Sequence, residues 1–335
     1  MADGSRMRNR SGTADGARTS EGTATRRGTQ LRYGSAVRVR VPGSSANLGP
    51  GYDAVGLALR LHDEVEVTAV PEPGVHVEVT GEGAGRVGEG EDHLVVRSVR
   101  AALERVGASQ PGLVLRCRNS VPHGRGIGSS AAAVVSGVVA ARGLLVQPEL
   151  LDDVTALEVA SDLEGHPDNA SASLLGGMTV GWSGPGGTHA VRVEPHPDLV
   201  AVVCIPGTEL PTAKARSMLP TLVPHADAAF TAGRAALLVE AVTRRPDLLF
   251  AATQDRLHQA YRAPAMPDTA ELLESLRSVG LAAVVSGAGP SVLVLGTGRE
   301  RVDRRVQAVA DSRWLVLVPG IDLVGATLTT RVALD

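Results

Sequence analysis

VPHGRGIGSSAAA, Val121–Ala133, is the stretch on which the reading of this chain turns. Gly124, Gly126 and Gly128 let the backbone turn tightly and come close to a ligand, because no side chain intervenes. Ser129 and Ser130 stand where they can cap a helix that begins at Ala131. Unpaired N–H groups and the positive end of the helix dipole then converge on one spot, which suits an anion. A nucleotide phosphate is the candidate; an ordinary turn entering a helix is the bland alternative. A Walker A loop carries its lysine directly after the last glycine. Here Ser129 follows Gly128, and Lys214 is the only lysine in the chain, so that class of nucleotide site is excluded.

Outward from the loop, the pattern mixes strands and helices. Ala36–Val41 alternates as a strand, and Asp63–Val70 with Val75–Thr80 reads as a strand pair joined at Pro71–Gly74. His93–Val106 has helical spacing, and Leu113–Cys117 is a strand feeding the glycine loop. Ser129–Val146 and Leu150–Leu163 read as helices, interrupted at Gly165–Asn169. Strands follow at Gly177–Trp182 and Val191–Val193, with a turn at Gly184–Gly187. A boundary falls near His196–Asp198, so the expected units are a tail (1–32), a first domain (33–196) and a second domain (197–335). The second half reads as the buried strand Leu199–Ile205, helices at Ala226–Thr243, Gln254–Tyr261 and Asp268–Val279, and strands Leu281–Val285 and Ser291–Leu295. A polar helix (Arg299–Val309) and strands near Trp314–Val318 and Ala326–Val332 close it. This mixture, without a fixed-length repeat, predicts α+β layers.

Composition narrows the function. The 335 residues, 43% hydrophobic, suffice for a sizeable core. A net charge of -3 argues against a nucleic-acid surface, and 2% aromatics argues against base-stacking platforms. Cys117 and Cys204 sit far apart in apolar runs and read as buried hydrophobes, which implies a reducing, cytoplasmic setting. No apolar run has the length of a membrane span, and the N-terminus lacks a signal-peptide core. Residues 1–32 hold almost no large apolar side chain and are expected to be a disordered tail.

Three further groups of residues invite chemistry. In VPGSSANLGPGYDAVGLAL (Val41–Leu59), Asn47 can donate and accept hydrogen bonds and Asp53 follows six residues on; a tight turn with an Asx cap is the alternative. Glu158 on a helix, near a phosphate loop, could hold Mg²⁺, which takes oxygen ligands; a solvated acidic face is the alternative. His166 has no second histidine at ligand spacing, so it reads as a hydrogen-bonding residue rather than a zinc ligand. Arg216 and Arg262 offer forks that match a carboxylate. SGAGP (Ser286–Pro290) is a second glycine turn between apolar strands.

VPGSSANLGPGYDAVG, PHGRGIGSSAAA and VSGAGPSVLVL, in this order, resemble the three motifs of the GHMP small-molecule kinases. The likeness spans residues 36 to about 330. EGHPDNASASLLGG (Glu164–Gly177), PTAKAR (Pro211–Arg216) and LHQAYR (Leu257–Arg262) resemble the branch of that family that phosphorylates homoserine. Tyr52, Arg125, Ile127, Ala170 and Ser171 are mild departures.

The resemblance implies a two-domain fold, with a left-handed βαβ crossover in the first domain, an exception to the usual hand, and a ferredoxin-like second domain. It implies transfer of phosphate from ATP, with Mg²⁺, to the side-chain hydroxyl of L-homoserine on the way to threonine. ATP would lie on Pro122, His123, Gly124, Arg125, Gly126, Ile127, Gly128, Ser129, Ser130 and Ala131, with Ser286, Gly287, Ala288 and Gly289 as the third motif. Glu158 and one serine of the pair, taken as Ser130, would hold the metal. Arg216 and Arg262 would clamp the substrate carboxylate and Asp53 would face its ammonium. Asn47, His166 and Asn169 would position the polar groups, including the hydroxyl, and Thr212 would cover phosphate or substrate. No residue reads as a strong base, so the expectation is direct in-line transfer. A homodimer is compatible with this reading. Another alcohol such as mevalonate, or a catalytically silent sensor of the same fold, are the competing readings.

Overall fold

The computed structural model describes residues 29–331. The first sheet is built on a long antiparallel hairpin, β1 (Ala36–Asn47) and β2 (Gly51–Val70), whose register shifts between Pro42 and Ser44 and between Ala46 and Asn47. The glycine- and proline-rich Val41–Leu59 segment is therefore mostly strand, not the loop its composition suggests. Its apolar side chains, Leu48, Val55, Leu57 and Leu59, are buried against both halves of the molecule, and this packing outweighs the weak strand propensity.

β3 (Val75–Gly81) does not pair with β2. After α1 (Leu94–Arg105) the chain returns as β4 (Gly112–Asn119), which inserts between them, antiparallel to β2 and parallel to β3. The expected β2–β3 hairpin is thus replaced by a βαβ unit. Burial explains the choice: β4 carries Leu113, Leu115 and Cys117 into the core, whereas β3 buries Val77 and presents His76 and Glu78 to solvent. A polar strand suits the edge position. α1 covers the sheet with Val95, Val96, Val99, Ala102 and Leu103, a 3.6-residue stripe.

α2 (Ser129–Leu144) is buried almost all round, and its alanines and Gly137 let α1 lie close against it. α3 (Asp153–Glu164) begins at Asp152, whose side chain accepts from the Thr155 amide, and is shorter than expected because Pro148–Leu151 forms a separate 3₁₀ turn. α4 (Asp168–Leu175) was not foreseen. β5 (Met178–Gly184) and β6 (Gly187–Val193) complete this half, with β5 pairing onto β2.

The second sheet has the order β10–β7–β9–β8, all antiparallel. Its elements are β7 (Leu199–Pro206), α5 (Thr212–Ser217), α6 (His225–Thr243), α7 (Leu249–Ala252), α8 (Gln259–Arg262), α9 (Pro267–Ser278), β8 (Ala282–Val285), β9 (Val292–Thr297), α10 (Arg299–Gln307) and β10 (Trp314–Leu317). This is the ferredoxin-like arrangement. The helix expected over Gln254–Tyr261 is confined to the single turn α8, because Asp255 takes the Leu257, His258 and Gln259 amides and caps it late. One face of the sheet (Ala201, Val203, Ile205) packs with α6, α7 and the β1–β2 hairpin; the other (Val202, Cys204) packs under α9 and α10. The two halves therefore share a core, and a cleft opens at its edge.

Both termini of the described chain depart from expectation. β11 (Thr327–Arg331) returns to pair with β1 in the first sheet, so a split at 196/197 does not follow the sheets. Of the expected tail, residues 1–28 lie outside the described residues. Residues 29–32 are docked: Thr29 bridges Ala108, Leu31 bridges Leu145, and the Arg32 amide donates to Leu144 O at 2.8 Å. Leu31 gives the reason, since its side chain packs on the core. Cys117 and Cys204 are unpaired and buried, and burial pushes both thiols up to about 12. No helix among the described residues is long and apolar enough to cross a membrane.

Candidate active site

The glycine loop enters α2 through Gly128, which has φ 67° and acts as the N-cap. A Cβ there would collide with the Ser44 hydroxyl and backbone, so only glycine fits. Ser129 and Ser130 are not the caps expected; they are the first two helical residues, and no side chain caps the helix. The first-turn amides of Ser129, Ser130 and Ala131 have no carbonyl one turn behind them, which leaves them for a bound anion.

Beside this loop lies a cleft of about 320 Å³. It is lined by Pro122, the run Gly124–Ala131, Asn47, Asp53, Glu164, His166, Asp168, Asn169, Thr212, Arg216, Arg262, Gly287 and Ala288, among others. Glu158 is not among them. It forms an ion pair with Arg105 on the outer surface of α1 and α3. The acid that faces the loop is Glu164, which accepts from Ser130 Oγ at 2.6 Å. The two acids are six residues apart on one helix, about 240° around its axis, so they cannot share a face. Glu164 is the first residue of the EGHPDN motif, which is where the sequence marks it. Burial raises its carboxyl above the usual range, against the pull of the Ser130 bond. No arginine or lysine of the described residues pairs with it. A half-buried carboxylate next to a hydroxyl is an oxygen donor set of the kind Mg²⁺ takes when phosphates supply further ligands. No group of three or more His, Cys, Asp or Glu side chains suited to a metal occurs among the described residues.

The first motif is held under strain. Asn47, Leu48 and Asp53 all have positive φ (70°, 46° and 53°), a region that non-glycine residues enter at a cost. Asn47 offsets this cost with both ends of its amide: Nδ2 donates to Gly287 O at 2.8 Å, and Oδ1 accepts from the Asp53 amide at 2.9 Å. It is buried and stitches the first motif to the third. Ser286 lies 2.7 Å from Gly126 O and 2.8 Å from Ser45 Oγ, so the third motif supports the glycine loop from behind.

Asp53 and Arg216 meet each other. Arg216 Nη1 donates to Asp53 Oδ2 at 2.9 Å and Nη2 to Oδ1 at 2.7 Å, while Nη1 also reaches the Tyr52 hydroxyl at 2.9 Å. Arg216 comes from α5, which hangs over the glycine loop: Leu210 N donates to Gly124 O at 3.0 Å, and Arg125 sits 3.9 Å from Glu209. Thr212 opens the same helix at the cleft mouth.

Arg262 is different. It is 1% exposed, yet no carboxylate of the described residues pairs with it and its Nε has no partner. Nη1 lies 3.2 Å from both Gly287 O and His258 Nδ1. Burial lowers its pKa, although a guanidinium stays charged.

His166 Nδ1 lies 2.5 Å from Asp168 Oδ1, which fixes that nitrogen as the protonated one, since a carboxylate only accepts. Burial pushes the imidazole down, but the bond and charge of Asp168 outweigh it and the net shift is upward. Asn169 Oδ1 accepts from Ser44 Oγ at 3.0 Å, leaving its NH₂ for the cleft.

A second pocket of about 360 Å³ adjoins the first and shares Gly124, Ser129 and Ser130 with it. Two buried polar atoms in its wall, His93 Nδ1 and Ser136 Oγ, have no partner among the described residues. Burial lowers the His93 pKa, keeping its ring neutral. Neither residue is legible as a site residue from sequence: Ser136 is a lone polar residue in an apolar helix, and His93 stands at a helix start beside other polar residues.

Comparison with known proteins follows this geometry. Residues 93–177 match the family described as GHMP kinases N terminal domain, and residues 229–313 match GHMP kinases C terminal. A homoserine kinase of Streptomyces coelicolor is 52% identical over 88% of this chain and 94% of its own. One from Leifsonia xyli is 48% identical over 90% and 94%. Among solved structures, homoserine kinase from Cytophaga hutchinsonii superposes with a TM-score of 0.77 at 25% identity, covering 90% of this chain and all of that one.

Proposed function

The chain belongs to the GHMP kinases and, within them, to the homoserine kinases, and we infer from this premise how its cleft performs ATP-dependent phosphorylation of the L-homoserine side-chain hydroxyl. The product, O-phospho-L-homoserine, is the precursor of threonine. The observation that carries the reading is Arg262, a buried guanidinium without a carboxylate partner among the described residues, in a cleft that also holds Asp53. A zwitterion with a hydroxyl at its far end complements both charges. Mevalonate would give Asp53 no ammonium to meet.

In this reading the ATP phosphates lie on the Gly124–Ala131 backbone and the N-terminus of α2. Ser130 and Glu164 would hold Mg²⁺, which spreads the charge on the phosphoryl oxygens. The unpartnered His93 and Ser136 atoms of the second pocket suit the hydrogen-bonding edge of the base. Arg262 grips the substrate carboxylate. Arg216 joins it as the Asp53–Arg216 pair opens to admit the zwitterion, each Asp53 oxygen keeping a lone pair for the ammonium. The ring of His166, oriented by Asp168, and the Asn169 amide align the hydroxyl. Transfer is direct and in line, with positioning and electrostatics supplying the catalysis rather than a dedicated base. We place the reaction in the cytoplasm, where a reduced Cys117 and Cys204 are at home.

A coupled ADP-release assay with Mg²⁺ and a panel of small alcohols tests this. Turnover is expected with L-homoserine well above mevalonate. Preference for mevalonate, or binding of ATP and homoserine without ADP formation, would overturn it.

A further inference from the structure

His258 is fully buried, and its ring lies between two partners that allow only one state. Nε2 is 2.7 Å from Gly49 O, and Nδ1 is 3.2 Å from Arg262 Nη1. A carbonyl can only accept and a guanidinium can only donate. The ring must then carry its proton on Nε2, donate it to Gly49, and accept from Arg262 at Nδ1. An imidazolium would aim a second N–H at the guanidinium and set two cations together. The groups facing the ring are Asp255, 3.7 Å from Nε2 but engaged by three backbone amides, the Tyr52 ring at 5.2 Å, Arg262, and more distantly Asp53. Burial and Arg262 push the imidazole pKa down, against Asp255, so the neutral ring is the favoured one. Gly49 is itself fixed, with φ +86° and Thr253 packed where a Cβ would be.

We propose that His258, as the neutral Nε2–H tautomer, is the positioning residue that aims Arg262 at the substrate carboxylate. The first motif supplies the anchor (Gly49 O), His258 transmits it, and Arg262 presents the fork, with Gly287 O of the third motif as its second support. His258 does not line the cleft. This inference rests on the assignment of Arg262 to the carboxylate.

Two variants separate the ring's two bonds. In His258→Asn the amide oxygen falls near the place of Nδ1 and can still accept from Arg262. In His258→Gln the amide nitrogen reaches toward Gly49, but Arg262 loses its acceptor. The KM for homoserine is expected to stay within about threefold in His258→Asn and to rise roughly tenfold or more in His258→Gln, with the KM for ATP unchanged in both. Equal KM values for homoserine in the two variants, or a joint rise in both KM values, would overturn the proposal. A measurement on the unaltered protein does not depend on turnover or on the variants folding. The ¹⁵N shifts of the His258 ring should report the neutral Nε2–H tautomer from pH 8 to pH 6. A Nδ1–H tautomer or a cation in that range overturns the proposal, whereas a lack of homoserine turnover by the unaltered protein overturns the functional reading alone.

Discussion

At the scale of single residues, the site depends on which carboxylates and guanidiniums are left without partners. Glu158 is satisfied by Arg105; among the described residues Glu164 has only the Ser130 hydroxyl. Glu164→Gln should therefore lower kcat by roughly 100-fold and weaken the response to Mg²⁺, while Glu158→Gln should stay within about twofold. Steady-state rates over a Mg²⁺ titration decide between them, and a crippled Glu158→Gln would return the metal to the position first expected. Arg262→Ala removes a charge-assisted contact of about 1.5–3 kcal/mol, so the KM for homoserine should rise roughly 10- to 100-fold with little change in the KM for ATP. An unchanged homoserine KM would take Arg262 out of the carboxylate site.

At the scale of elements, the proposed phosphate site is a helix N-terminus that no side chain of the described residues caps. Gly128 makes it so, through a left-handed backbone and contact with Ser44. Gly128→Ala adds a conformational cost of about 1–2 kcal/mol and must also displace the hairpin, so the melting temperature should fall and the KM for ATP should rise. Gly85 is the control: its φ is 69°, but nothing lies within 4 Å of an added Cβ. Gly85→Ala should lose stability through the backbone alone and keep its KM for ATP. Equal ATP affinity in the two variants would argue against the loop as the phosphate cradle.

At the scale of the molecule, the chain's return after β10 ties the two halves. Asp322 accepts from His62 Nε2 at 2.7 Å and from the Val324 and Gly325 amides, and its own backbone bonds Gly177 and Ala58. Burial alone would raise this carboxyl, but the His62 bond and the two amides bring it down to about 2. Against an unfolded value of 3.8, that is about 2 kcal/mol of stability. Because the folded pKa is the lower one, this contribution is complete above about pH 4 and is lost as pH falls toward 2. Urea midpoints at pH 7, 4 and 3 should drop more steeply for the unaltered protein than for Asp322→Asn; parallel curves would remove Asp322 from the acid response.

The sequence by itself determined the glycine loop that opens α2, the exclusion of a lysine-bearing nucleotide site, the helices of strong period such as α1, and the branch of the family. These depend on local properties: where glycine permits a positive φ, which residues repeat on one helical face, and which short motifs occur in order. Tertiary structure decided which acid meets Ser130, that β4 parts β2 from β3, that Asp53 and Arg216 bind each other, and that Arg262 and His258 are buried together. Those outcomes turn on contacts between residues far apart in the chain, as in Asn47 and Gly287, 240 residues apart. A side chain's partners across such a span are set by packing of the shared core, and neither spacing nor composition encodes them.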